Sequence, residues 1–126
     1  MTAYPVDDLK PVQNRPGQRG RTLIGTEHGI TSFYVTEIVF DEGSAIPLHT
    51  HPVEEGFMVA EGTLTIQLGD QTLTAEAESV VSIPPGVPHA VRNDGPGQAR
   101  ALAGAPWNRA TFFRDATTYL EGEARD

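Results

Sequence analysis

The chain has 126 residues, enough for one domain but not two, and no cysteine, which excludes disulfides, zinc ribbons, iron–sulfur clusters and thiol nucleophiles. Nine Lys and Arg against 17 Asp and Glu give a net charge of -8, which argues against nucleic acid or anionic lipid surfaces as partners. The opening residues MTAYPVDDLK lack the apolar run of a signal peptide. No stretch approaches the roughly 20 apolar residues of a membrane span, so a cytoplasmic location is expected.

Thirteen Gly and ten Pro spread along the chain suit short strands joined by turns and leave little room for helices. Residues 1–20 are polar and without periodicity, and read as an arm, loose or laid over a neighbour. Ser32–Phe40 is the first strong strand, with Phe33, Val35 and Val39 on one face and Tyr34, Ile38 and Phe40 on the other, so it is expected to be covered on both sides. Ile46–His51 reads as a short strand that Pro47 and Pro52 place at an edge. Gly56–Glu61 follows. Thr63–Leu68 then alternates cleanly, with Leu64, Ile66 and Leu68 inward, and turns at Gly69-Asp70 into its hairpin partner Gln71–Ala75. Ser79–Ile83 is stopped by Pro84-Pro85-Gly86, and His89–Asn93 and Arg100–Ala103 come next. Thr111–Phe113 is read as a further strand, and a short helical turn capped by Asp115 is read beyond it. Strands at such spacing without a convincing helix indicate a sandwich or closed barrel. The chain divides into an arm (1–20), a barrel (21–114) and a tail (115–126).

The chemistry concentrates in few residues. Two of the four histidines form His49-Thr50-His51, and Glu55 follows four residues later. On a strand, side chains at i and i+2 share a face, roughly 6–7 Å apart at the backbone, so both imidazoles can converge on one ion. Glu55, past the Pro52-Val53 bend, opens the next strand and can reach the same point. Alternation after Pro88 turns His89 and Val91 inward and Ala90 and Arg92 outward. Three imidazoles and one carboxylate suit a divalent first-row ion (Fe, Mn, Ni, Cu or Zn) and leave two positions open for a substrate, dioxygen or water, which points to catalysis over structure. Taken singly, each of these residues would be an ordinary surface or loop side chain; the combination carries the reading.

Gly43, then His49-x-His51, Glu55 and Gly62, resembles the first conserved motif of the cupin superfamily, and Pro84-x-Gly86 with His89 and Asn93 resembles the second. Glu78 stands where the second motif usually has a glycine, a departure at a turn and not at a ligand. The matched span, Gly43–Asn93, covers about two-fifths of the chain. The resemblance implies an all-β, cupin-type jelly-roll barrel of two antiparallel sheets with one divalent transition metal near one mouth, held by His49, His51, Glu55 and His89, with iron or manganese favoured. Gly43 and Gly62 read as turn positions with positive φ or close packing, and Asn93 as a turn cap.

Small cupins with this donor set most resemble dioxygenases, which implies oxygen-dependent chemistry on a metal-chelating enol, diol or diketone, with Glu55 moving between ligand and proton acceptor. The pocket is expected to be lined by Phe33, Val35, Phe57, Val59, Leu64, Trp107 and Phe112, which favours a small, partly apolar molecule. The alternatives are redox-neutral isomerase or lyase chemistry on a sugar acid or hydroxy-carbonyl compound, and a non-catalytic ligand-binding module. Redox-neutral chemistry on an acid needs a cation in the pocket, and Arg92, Arg100 and Arg109 give it thin support. A helix-turn-helix segment is absent, so a DNA-binding role is not expected. His28 fits no motif and reads as a turn residue, and the resemblance implies a homodimer.

Overall fold

In the computed structural model, which describes residues 3–121, the alternating segments form β1 (Val12–Arg15), β2 (Gln18–Ile24), β3 (Tyr34–Phe40), β4 (Ala45–Thr50) and β5 (Glu55–Glu61). They continue as β6 (Thr63–Leu68), β7 (Gln71–Glu76), β8 (Ser79–Ile83), β9 (His89–Arg92), β10 (Ala99–Ala105) and β11 (Thr118–Tyr119). One sheet has the order β1-β2-β3-β10-β5-β8 and the other β11-β4-β9-β6-β7, all neighbours antiparallel, which is the two-sheet, all-β barrel expected. No helix among the described residues is long and apolar enough to cross a membrane.

The inner faces of the sheets enclose a core of Phe40, Phe57, Val59, Leu64, Ile66, Val81, Ile83 and Val91. The middle strand β10 contributes only Ala99, Ala101, Ala103 and Ala105 to the inside. Methyl groups in that row fill little of the space between the sheets, so the barrel can keep a cavity at the end where the histidines gather. A second cluster of Tyr34, Ala105, Phe112 and Ala116, flanked by Val53, Trp107 and Phe113, closes that end.

Local features keep the register. Pro47 lies where the pairing of β4 with β9 shifts between Ile46 and His49, a bulge at which a missing N–H costs no ladder bond. Only the two residues of β11 lie outside β4, close to the edge position that Pro47 implied. Gly62 has φ 77°, and a Cβ there would stand 2.7 Å from the Gln98 carbonyl oxygen, so no side chain fits. Asn93 is buried; its Nδ2 donates to the Phe40 and Gly97 carbonyls, and its Oδ1 accepts from the Gly95 N–H, which knots the β9–β10 turn onto β3.

The structure departs from the sequence expectations in four places. Residues 12–20, read as part of an arm, form β1 and the start of β2 and extend the six-stranded sheet, because β3 leaves an edge that a neighbouring polar strand can satisfy with backbone bonds alone. Residues 1 and 2 of that arm lie outside the described residues, as do 122–126 of the tail. Thr111–Phe113 is helical, in a 3₁₀ turn (Arg109–Thr111) and a single α turn, α1 (Phe112–Asp115), capped by Asn108, whose side chain accepts from the Ala110 N–H. Asp115 ends this turn and does not cap a later one. In β3 the inward residues are Tyr34, Thr36, Ile38 and Phe40; Val35 and Val39 are half-buried on the outer face, beside buried Glu37, which pairs with Arg21 (2.7 Å) and Arg100 (3.2 Å).

Candidate metal centre

His49 and His89 stand directly opposite each other on β4 and β9, and His51 follows one residue past the end of β4. The loop before β9 is anchored to the same place: the Gly86 N–H donates to the His51 carbonyl (2.7 Å). The three imidazoles are buried and their ring centroids lie 4.1 to 5.1 Å apart. One ring nitrogen from each falls within 4.8 Å of the others, so the three histidines could hold a metal ion.

The outer nitrogens decide which atoms face inward. Nδ1–H of His49 donates to the Pro47 carbonyl (2.8 Å), that of His51 to Ala116 (2.8 Å) and that of His89 to Val87 (2.9 Å). Each bond keeps the proton on Nδ1, so that in a neutral ring the lone pair lies on Nε2, the arrangement metal-ligating histidines need. The His89 Nε2 is buried without any hydrogen-bond partner. A lone pair without a donor, set among converging imidazoles and beside a carboxylate, fits a cation. Burial first, and then the neighbouring His89, push the His49 pKa down to about 3. Burial also lowers that of His51, against the opposing pull of Glu55. Neutral rings are the metal-binding form.

Glu55, first residue of β5, brings Oε1 to 3.3 Å from His89 Nε2 and Oε2 to 3.9 Å from His51 Nε2. Glu55, the fourth donor expected from the sequence, thus stands beside His89 and His51, while the donor atoms that fall within 4.8 Å of one another are those of the three histidines. On its other side stands Tyr34, whose hydroxyl pKa is raised well above its ordinary value by burial, then by the Glu55 charge and by a hydrogen bond to that carboxylate. Arg109 stacks on the outer side of Tyr34, 5.6 Å from its ring centroid, and 4.6 Å from that of Phe113.

The histidines and Glu55 open into a cavity of about 60 Å³, room for a few waters or the reactive end of a small molecule. Phe57 and Phe112, two of the residues expected to line it, do so. Phe33 does not: it is exposed before β3, and Val35 faces the outer side of the sheet. Both faces of β3 are apolar, and a one-residue change of parity exchanges them. Val59 and Leu64 lie fully buried in the core and not at the cavity wall. Trp107 packs against the second cluster with its Nε1–H donating to Thr111 Oγ1 (3.1 Å). His28 stays out of the histidine cluster and stacks on Tyr4 at 4.8 Å. Arg92 is exposed and bonded to Asp94.

Several wall residues were not legible beforehand: Asn14, Arg15 and Gln18 from the first hairpin, Tyr34 and Thr36 from β3, and Tyr119 from β11. The hairpin looked like an arm and β11 is two residues long, so periodicity carried no signal for either.

A two-sheet antiparallel barrel with three convergent histidines at one end describes a class of metal-binding β-barrels. The cupin domain profile matches residues 36–104, and the chain belongs to this family. Among solved structures it resembles the polyketide cyclase RemF from Streptomyces resistomycificus at 25% identity and a TM-score of 0.82, over 98% of this chain and 87% of that one. It also shares its fold with KdgF from Halomonas sp. (12% identity, TM-score 0.76, 88% and 98% covered). A sugar phosphate isomerase of the cupin superfamily from Silicibacter pomeroyi gives 19% identity and a TM-score of 0.75, with 83% and 75% covered. No curated protein sequence matches the chain significantly.

Proposed function

We propose that this chain is a metal-dependent enzyme that moves protons at an enolisable carbonyl of a small organic molecule, without net oxidation. The observation that carries the reading is that Glu55, 3.3 Å from His89 Nε2, and Tyr34 line the same cavity as the three histidines. His49, His51, His89 and Glu55 are the proposed ligands of one divalent ion, with iron or manganese favoured. When bound, such an ion supplies Lewis acidity to an oxygen of the substrate.

The residues of the chain supply the rest. Glu55 accepts a proton from the carbon beside the carbonyl; once that carboxylate is protonated, the Tyr34 O–H no longer needs to donate to it and turns toward the oxygen that gains charge. Phe57, Phe112 and Phe113 shut water away from that oxygen, which strengthens each polar contact. Similarity to a polyketide cyclase over 98% of the chain supports this class, since cyclisation needs no external oxidant.

An oxygen-dependent reaction on a chelating enol or diketone is the second reading, favoured by the donor set of three imidazoles and one carboxylate. One experiment separates the two. Purified protein with about one transition metal per chain is incubated with acetylacetone in D₂O under air. Exchange of the carbon-bound protons faster than in protein-free buffer, an acceleration lost in Glu55→Gln, with no oxygen uptake, is the expected result; exchange at the protein-free rate, or stoichiometric oxygen uptake, overturns it, the latter in favour of the second reading.

A homodimer belongs to the same reading. On the outer face of the six-stranded sheet, Leu102, Met58 and Val80 lie side by side in register, and Val80 is 69% exposed, an apolar row that a second copy would cover. Light scattering is expected to give twice the chain mass of 13.6 kDa; the single mass at micromolar concentration would sink this part.

A further inference from the structure

The cavity has a wall that the proton chemistry above does not use. Gln18, the first residue of β2, pairs with Phe40 across the sheet and turns its side chain into the cavity. The residue is only 2% exposed, yet its Nε2 has no hydrogen-bond partner. Buried amide donors are almost always satisfied, and an unsatisfied one on a cavity wall marks a place where another molecule's acceptor belongs. Arg15 lies opposite Gln18 across the irregular β1–β2 pairing and lines the same wall. Its Nη2 donates to the Tyr119 hydroxyl (2.6 Å), and its guanidinium lies 5.2 Å from that ring's centroid. Among the described residues no carboxylate pairs with Arg15, which is half-buried at this wall. The Tyr119 ring in turn lies 5.6 Å from that of His49, so this wall is continuous with the histidine cluster.

We infer that Gln18 and Arg15 form an oxygen-recognition subsite, which selects small substrates carrying, besides the oxygens at the histidine centre, a further anionic oxygen such as a carboxylate. The inference rests on the proposed reading of the same cavity and narrows its substrate class. Gln18 orients the substrate by a neutral N–H donor, and Arg15 selects its charge. Neither residue takes part in proton transfer. An uncharged diketone leaves the Gln18 amide unpaired, whereas a diketone with a terminal carboxylate satisfies it.

The test compares two probes, acetylacetone and acetylpyruvate, which share the diketone and differ in the carboxylate. Binding to the zinc-loaded full chain is measured by calorimetry, so that no turnover is needed. Wild type is expected to bind acetylpyruvate at least tenfold more tightly than acetylacetone. Gln18→Leu should erase most of that preference, leave acetylacetone binding within about twofold, and unfold no earlier than wild type, because it removes an unpaired buried donor. Gln18→Glu keeps the size, adds a repelling charge and should weaken acetylpyruvate further. Equal binding of the two probes by wild type, or an unchanged preference in both variants, overturns the subsite. Metal content is measured on every sample. If wild type takes up no metal, the proposed function falls on its own. Acetylpyruvate binding to the metal-free chain, lost in Gln18→Leu, would then still support the subsite, and its absence from wild type would overturn it.

Discussion

At the scale of single residues, the backbone bonds of the histidines do as much as the histidines themselves. Pro47, Val87 and Ala116 each accept from an Nδ1–H and so aim an Nε2 at one point. Replacing His51 by Ala leaves three of four donors and is expected to lower metal affinity by more than tenfold, read as metal per chain after dialysis; full occupancy in the variant would remove His51 from the site. Outside the site, Glu37 holds two arginines on the outer face with Arg21 nearly as buried as itself. Glu37→Gln keeps the shape and removes the charge, and should cost about 2 kcal/mol of unfolding free energy in urea, less than a fully buried pair because Arg100 is partly solvated. The convergence of the three histidines was readable from spacing. Glu37 was not, since a carboxylate inside an apolar run gives no sign of which neighbouring strands will bring arginines to it.

Among the elements, the tight turn before β8 shows a sequence departure becoming a structural one. Glu78, where the family motif usually has glycine, adopts φ 69°, a left-handed conformation that costs a residue with a Cβ about 1–2 kcal/mol. Glu78→Gly relieves that strain but loosens the unfolded chain, so a net gain of about 1 kcal/mol is expected in denaturant unfolding; a loss of stability would show that the Glu78 side chain contributes something the turn needs. Strands β3 to β10 were largely legible, because the barrel buries one face of each and writes a period of two into the sequence. The first hairpin and β11 were not. They add to sheet edges through backbone bonds, which any sequence can make, and their inward side chains, Asn14, Gln18 and Tyr119, are polar because they face a cavity and not a core.

For the whole molecule, the proposed ion couples to stability because its donors come from β4, β5, β9 and the segment just past β4, spread over both sheets. Unfolding disperses them, so an ion that binds only the folded chain stabilises it by about 2.7 kcal/mol at a hundredfold excess over its Kd. Stripping the metal with a chelator should therefore lower Tm by several degrees, and returning it should restore Tm; a Tm indifferent to chelator would count against any tightly held ion. The sequence by itself determined the all-β class, most strands from β3 to β10 and the convergence of three histidines, because burial periodicity and ligand spacing are local properties of the chain. Only the tertiary structure decided which face of β3 turns inward, and that Tyr34 shares a cavity with Glu55. It alone closed the cavity with the polar first hairpin and the tail, since those contacts join residues as far apart as Arg15 and Tyr119, which no local pattern relates.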